Sequence, residues 1–351
     1  MVRSRLSLFA ALGAAVLWLF LTPAFATTLY VAVTGTDTGT CGSSANPCRS
    51  ISQAHAHAHY GDTIEVGPGR YGDLNANGVL GDSPGEEFGS PYCSCMIFIN
   101  ESVKLVSTGG AKATFLDART LNVSSNVEIR APNMIFGKPG KGFTVTGTNS
   151  GSNYDSTEVG VYVSAGAGIT VSGNQVVALG ANFNLNAYTV GIWVDTDASS
   201  VQIQGNQVIG WSYEGIIGAP QTTISDNAVA LAILGDGIVS GGASVSGNIT
   251  SGNDIGIRLH QGAAVTGNTT TGNGYGVIAD DNSAVAQENN IEENICGVYA
   301  AAAGFNAEKN YWGAATGPGG PPADGVCAGS QSVQVTPYAT TPFRVKVKLA
   351  P

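Results

Sequence analysis

The sequence is short of charge, and shortest of positive charge. Asp, Glu, Lys and Arg make up 11% of its 351 residues, and 15 basic side chains stand against 25 acidic ones, a formal net charge of −10. Phosphate backbones are held by surplus Lys and Arg, so a nucleic-acid partner is excluded. A second long apolar run is also missing. Residues 6–21 are almost wholly apolar, follow Arg3 and Arg5, and lead into Ala24-Phe25-Ala26, the small-x-small form that a signal peptidase reads. The run is short for a membrane span of ~20 residues, and nothing like it recurs. We therefore expect a signal peptide over 1–26 and one mature domain over 27–351 with no membrane span. Losing Arg3 and Arg5 moves the net charge from −10 to −12. The expected location is secreted, periplasmic or cell surface. Long helices are the third absence. Forty-nine glycines with so little charge describe a turn-rich, all-β chain.

What is present is a repeat. Gly followed by Val or Ile occurs at Gly160, Gly191, Gly215, Gly237, Gly256, Gly276 and Gly297, at spacings of 31, 24, 22, 19, 20 and 21. A second mark follows each: "VSGN" ending at Asn174, "IQGN" at Asn206, "ISDN" at Asn227, "VSGN" at Asn248 and "VTGN" at Asn268, then "QEN" at Asn289 and "EKN" at Asn310. Two marks in phase over seven units define a repeat architecture. Inside each unit apolar and polar residues alternate, as in Ile257 and Leu259 against Arg258 and His260, which is strand periodicity. A unit of some twenty residues with short strands makes one turn of a coil. Stacking such turns lays each strand parallel to its equivalent, ~4.8 Å away. Gly and Asn tolerate the left-handed backbone of tight corners. Equivalent asparagines in a column can bond amide to amide, as in other ladders of identical side chains. Like charges in a column would repel, which accounts for their scarcity.

The expected fold is all-β: a right-handed parallel β-helix, a single-stranded solenoid of about ten coils. Ile51, Ala54 and Ala58 mark a short N-terminal capping helix. Residues 72–95 read as an inserted loop, and residues 331–351 as a C-terminal tail that closes the far end or lies along one face. Export permits disulfides. Six cysteines allow fifteen connectivities, and spacing alone does not choose among them. Cys41 with Cys48, across a short Gly/Ser/Asn loop, and Cys296 with Cys327 are the expected pairs. Cys93 and Cys95 are then left together, at a spacing that strains a bridge.

Two stretches carry a resemblance. "CGSSANPCRSISQAHAHAHYGDTIEVGPGRY", residues 41–71, resembles the opening of secreted right-handed parallel β-helix proteins. "KNYWGAATGPGG", residues 309–320, resembles the Asn-Tyr-Trp-Gly close of many such chains, including periplasmic proteins of the NosD type. With the repeats, the likeness to the pectin-lyase-like superfamily covers nearly the whole mature chain. It implies the fold; many members cleave acidic polysaccharides, and others bind sugars. Activity must be argued from a site. Of the polygalacturonase motifs of this fold the chain has only Asp280-Asp281, and its His260 sits in Leu-His-Gln. Strand alternation would keep Asp280 and Asp281 from both facing outward.

Candidate residues follow from aligning the coils. His260 and Asp280 fall at equivalent positions in successive coils, with Arg258 on the same outward face. The three form a candidate acid–base group, or a surface ion pair. No Asp or Glu column is apparent nearby to hold the calcium that pectate lyases use. Asp195 and Asp197, two apart, could share a face as a glycosidase pair. The first outward position after each Gly-Ile/Val is Tyr162, Trp193, Ile217, Val239, Arg258, Ile278 and Tyr299. This apolar stripe is a sugar track in which Tyr162, Trp193 and Tyr299 offer flat faces, or it is covered by the tail or a loop. In the inserted loop, Asp73, Asn75 and Asn77 before Gly78 match half of a calcium loop, with the Val79 carbonyl and Glu86 or Glu87 as further ligands. His55 and His59 lie at i, i+4 if both are helical, a two-ligand start for a metal site. The expected function is non-catalytic binding of a polysaccharide or other cell-surface component along a lateral face. The alternatives are a lyase or hydrolase of acidic glycans and a purely structural solenoid.

Overall fold

The computed structural model describes residues 26–149, 157–178 and 188–345. The expected signal peptide, apart from Ala26, lies outside the described residues, as does the end of the tail, 346–351. No helix among the described residues is long and apolar enough to cross a membrane.

The chain winds into three long, wholly parallel sheets. Sheet A has twelve strands, from Thr28–Val31 to Val333–Gln334. Sheet B has nine, from Gly69–Gly72 to Asn290–Glu292, and sheet C nine, from Cys95–Ile99 to Cys296–Ala300. Each coil gives one strand to each sheet in turn, as Ala264–Thr266, Thr269–Thr271 and Tyr275–Ala279 do. The expected parallel β-helix of about ten coils is thus what the sequence builds. Its interior is set by register: Ile238 pairs with Ile257, Ile257 with Val277 and Val277 with Val298, all fully buried. Each such side chain contributes roughly 1.5–3 kcal/mol of burial free energy.

The corner between sheets A and B shows what the second sequence mark does. Asn174, Asn206, Asn227, Asn248, Asn268, Asn289 and Asn310 form one buried ladder, each side-chain amide donating to the next at 2.9–3.2 Å. The left-handed residue is the one before each Asn and not the Asn itself, a correction to the expectation from sequence. Gly173, Asp226, Glu288 and Lys309 all have φ between 56° and 67°. The residue before each Asn, glycine or not, therefore turns the corner, and the Asn ties it to the next coil. A second ladder, at the corner between sheets B and C, joins Asn253, Asn273 and Asn294 and ends on Asp324.

Both ends are covered, as open sheet edges require. Helix Ile51–His57 buries Ile51 and Ala54 against the first coil strands. Its backbone becomes extended at Ala58, so His59 is not on the helix. At the other end the described tail adds Val333–Gln334 to sheet A and then bonds to Lys309, Asn310 and Asn290. Cys41–Cys48 and Cys296–Cys327 are bridged as expected, and Cys93–Cys95 is bridged as well.

Candidate functional site

Strands in sheets A and B are often three residues long, whereas those of sheet C run to five, six or seven. Sheet C is therefore the face with room for rows of outward side chains. Register places Phe98, Glu128, Tyr162, Trp193, Ile217, Val239, Arg258, Ile278 and Tyr299 in one column. The aligned stripe thus exists and reaches two coils further toward the N-terminus. Phe98, Tyr162, Trp193 and Tyr299 are half-buried. From Val333 to Phe343 the tail bonds to the ends of sheets A and B and not across this column. Tyr162 and Trp193 form a ring pair at 5.3 Å, and Tyr299 meets Tyr275 edge-on at 6.3 Å.

Between these pairs lies an ion network. His260 Nδ1 is 2.9 Å from Asp280 Oδ2, and Arg258 reaches Asp280 at 3.4 Å. The three residues aligned from sequence do meet. Arg258 bonds more closely to Asp236, Nε to Oδ2 at 2.6 Å, a partner the sequence reading missed. Ile216 pairs with Ile238, which sets Glu214 against Asp236 one coil on. An acidic column does therefore occur beside the candidate site, contrary to expectation. Glu214 and Asp236 each directly precede the Gly of the repeat, so extending the alignment back by one position would have found them. Glu214 Oε2 accepts from the Asp236 backbone N–H at 3.1 Å, and the Tyr188 ring beside it packs on Tyr213 at 5.3 Å.

Burial, reinforced by the Asp236 charge, pushes the Glu214 carboxyl up from 4.5 to about 7. Burial also raises Asp236, against the pull of Arg258. For Glu214 the folded value lies above the unfolded one. Its contribution to stability is fully present below pH about 4.5 and is lost as pH rises through about 7. Glu214→Gln removes this dependence, so the variant should gain on wild type in thermal midpoint across that window. Parallel midpoint curves would rule it out.

Asp280 and Asp281 both reach the surface, because the strand ends at Ala279 and alternation no longer applies. Asp281 accepts from the backbone N–H groups of Gln261 and Ser283. Asp195 accepts from the Tyr162 hydroxyl at 2.5 Å, and Asp197 is exposed in the following turn.

The residues of the inserted loop do not fit calcium. Asp73 accepts from the N–H groups of Ala76 and Gly78 and from the Thr120 hydroxyl. Glu86 accepts from Leu74, Asn75 and Ser83. The Asn75 and Asn77 amide oxygens take the N–H groups of Asn77 and Val79, and both amides donate to Asp82. The oxygens a cation would need hold a turn together instead. The His pair does not assemble either. His55 is packed in and burial lowers it to about 4, whereas the His59 side chain is 88% exposed beyond the helix end.

No family model matches the chain, and a search of curated proteins found no match. Solved structures do match. Pectate lyase Pel9A is 16% identical with a TM-score of 0.51, over 90% of this chain and 78% of that one. A rhamnogalacturonan lyase is 11% identical with a TM-score of 0.51, over 89% and 87%. The A-module of mannuronan C-5 epimerase AlgE6 from Azotobacter vinelandii is 17% identical with a TM-score of 0.50, over 74% and 69%. At these identities the likeness establishes the fold alone, a right-handed parallel β-helix.

Proposed function

We propose that the protein binds a polysaccharide along the outward face of sheet C. One observation carries this reading: the ring pairs Tyr162–Trp193 and Tyr275–Tyr299 bracket the Asp236–Arg258–Asp280–His260 network on a single face. Flat rings stack on the apolar faces of sugar rings, and the polar network between them offers hydroxyl partners. Trp193 and Tyr299 are five coils apart, ~24 Å at the strand spacing, enough for an extended oligosaccharide. That solved structures of this fold include two polysaccharide lyases and a mannuronan epimerase supports a carbohydrate partner. Affinity electrophoresis against a polysaccharide panel tests it. Trp193→Ala should weaken retention about tenfold with an unchanged thermal midpoint, since the side chain points outward. Retention equal to wild type would remove the stacking platform from the reading.

A second reading, a polysaccharide lyase or glycoside hydrolase, is favoured by Glu214. A carboxyl near 7 beside Asp236 and within one network of Arg258, Asp280 and His260 is suited to proton transfer. Incubating the same panel with the protein and measuring new chain ends decides between the two. Product that disappears in Glu214→Gln and in His260→Ala would overturn the non-catalytic reading.

A further inference from the structure

The charge on this face discriminates among polysaccharides. Besides Glu158, the strands of sheet C and the residues directly after them carry five carboxyl groups, Glu128, Asp195, Glu214, Asp236 and Asp280, of which Glu214, held at about 7, is only partly ionised at neutral pH. Against these stand Arg130, Arg258 and His260. Arg130 is committed to Glu128 at 2.6 Å and lies over the Phe98 ring, while Arg258 bridges Asp236 and Asp280. Both guanidiniums already face protein carboxylates, which compete with any sugar carboxylate for them. A uronate chain would meet surplus negative charge along its length, and desolvated like charges repel strongly.

Asp195 shows what the surplus suits. Its side-chain partners are the Tyr162 and Thr196 hydroxyls, at 2.5 and 3.1 Å, both neutral donors. Burial alone would raise this carboxyl, but those bonds, with the backbone N–H groups of Thr196 and Asp197, hold it below its ordinary value, and among the described residues it makes no ion pair. The Tyr162 and Trp193 rings, 5.3 Å apart, stand beside it. A ring pair next to a carboxylate that makes no ion pair is a cradle for an ammonium group on a stacked sugar: the ring faces attract the cation and the carboxylate accepts its hydrogens.

We infer that the polymer taken by this face is an amino sugar with free ammonium groups, and that Asp195 with the Tyr162–Trp193 pair recognises the ammonium. The inference rests on the carbohydrate reading above. Titration calorimetry at near-neutral pH tests it with four probes: a glucosamine oligomer, its N-acetylated counterpart, an oligogalacturonate and a lysine oligomer of equal charge. The glucosamine oligomer should bind about tenfold more tightly than either the N-acetylated or the lysine oligomer, and the uronate not at all. Asp195→Asn, which keeps an acceptor for Tyr162, should erase the preference for the free amine and leave the N-acetylated oligomer within about twofold. Equal binding of the lysine oligomer, equal binding of the N-acetylated oligomer, or binding of the uronate overturns the inference and leaves glycan binding in place where a sugar is bound. If no sugar binds, the carbohydrate reading itself fails.

Discussion

Asn248→Leu is expected to destabilise the protein by about 4 kcal/mol, more than any change on the binding face. Asn248 is fully buried. Its oxygen accepts from the Asn227 backbone N–H and the Asn227 side-chain amide, both at 2.9 Å. Its nitrogen donates to the Ile224 carbonyl and to Asn268 Oδ1, both at 2.9 Å. Leucine fills similar volume, so no cavity opens; what remains is a set of buried donors and acceptors that water cannot reach, each costing about 1–3 kcal/mol. Stacked coils contact only their neighbours, and a break in the middle of the ladder also uncouples the two halves. Denaturant unfolding of the variant should therefore show an earlier midpoint and a broader or divided transition. Asn282→Ala, at an exposed turn, is the matched control and should shift stability by less than about 0.5 kcal/mol. A loss below about 1 kcal/mol for Asn248→Leu would mean the ladder follows from the coil and does not hold it.

The ladder was legible in the sequence because every coil repeats it. The second ladder was equally written there: Asn253, Asn273 and Asn294 follow Asn248, Asn268 and Asn289 by five residues each. It was missed because only the stronger mark was aligned. Sheet B was harder to read. Strands such as Thr269–Thr271, three residues between two turns, are too short for alternation to register. The site divides in the same way. His260 and Asp280 were found because the repeat places them at one position, and their 2.9 Å contact follows from that register. Glu214 and Asp236 occupy the column directly before the repeat Gly, which is Val190 before them and Ile255 after; the acidic character is not shared by every coil, so only an alignment extended by one position picks them out. A repeat reports what every coil shares. Function on such a scaffold lies in the coils that differ, and only the stacking shows which departures are neighbours.

Glu87 is such a departure outside the repeat, and its removal is the second large effect expected. It lies in the inserted loop and is fully buried, yet it makes no ion pair among the described residues. Oε1 accepts from the Ile51 N–H at 2.8 Å, and Oε2 from the Ser52 N–H at 2.7 Å and the Ser52 hydroxyl at 2.5 Å. Ser50 Oγ accepts from Gln53, so the first turn of helix Ile51–His57 has its free N–H groups satisfied, two of them by a residue thirty-six and thirty-five positions away. A seven-residue helix is too short to persist unaided. Glu87→Ala strands both N–H groups and frees the loop, at a cost of about 3 kcal/mol or more, with loss of hydrogen-exchange protection at Ile51, Ser52 and Ala54. Burial holds this carboxyl above its ordinary value. Its contribution is accordingly greatest at low pH and shrinks as pH rises. Glu87→Gln, which cannot titrate, should trail wild type most at about pH 4 and close part of the gap by about pH 8. A gap that widens with pH would show that the carboxylate is stabilised by its three donors more than it is penalised by burial. Unchanged protection at Ile51 and Ser52 in Glu87→Ala would show that the cap stands without the loop.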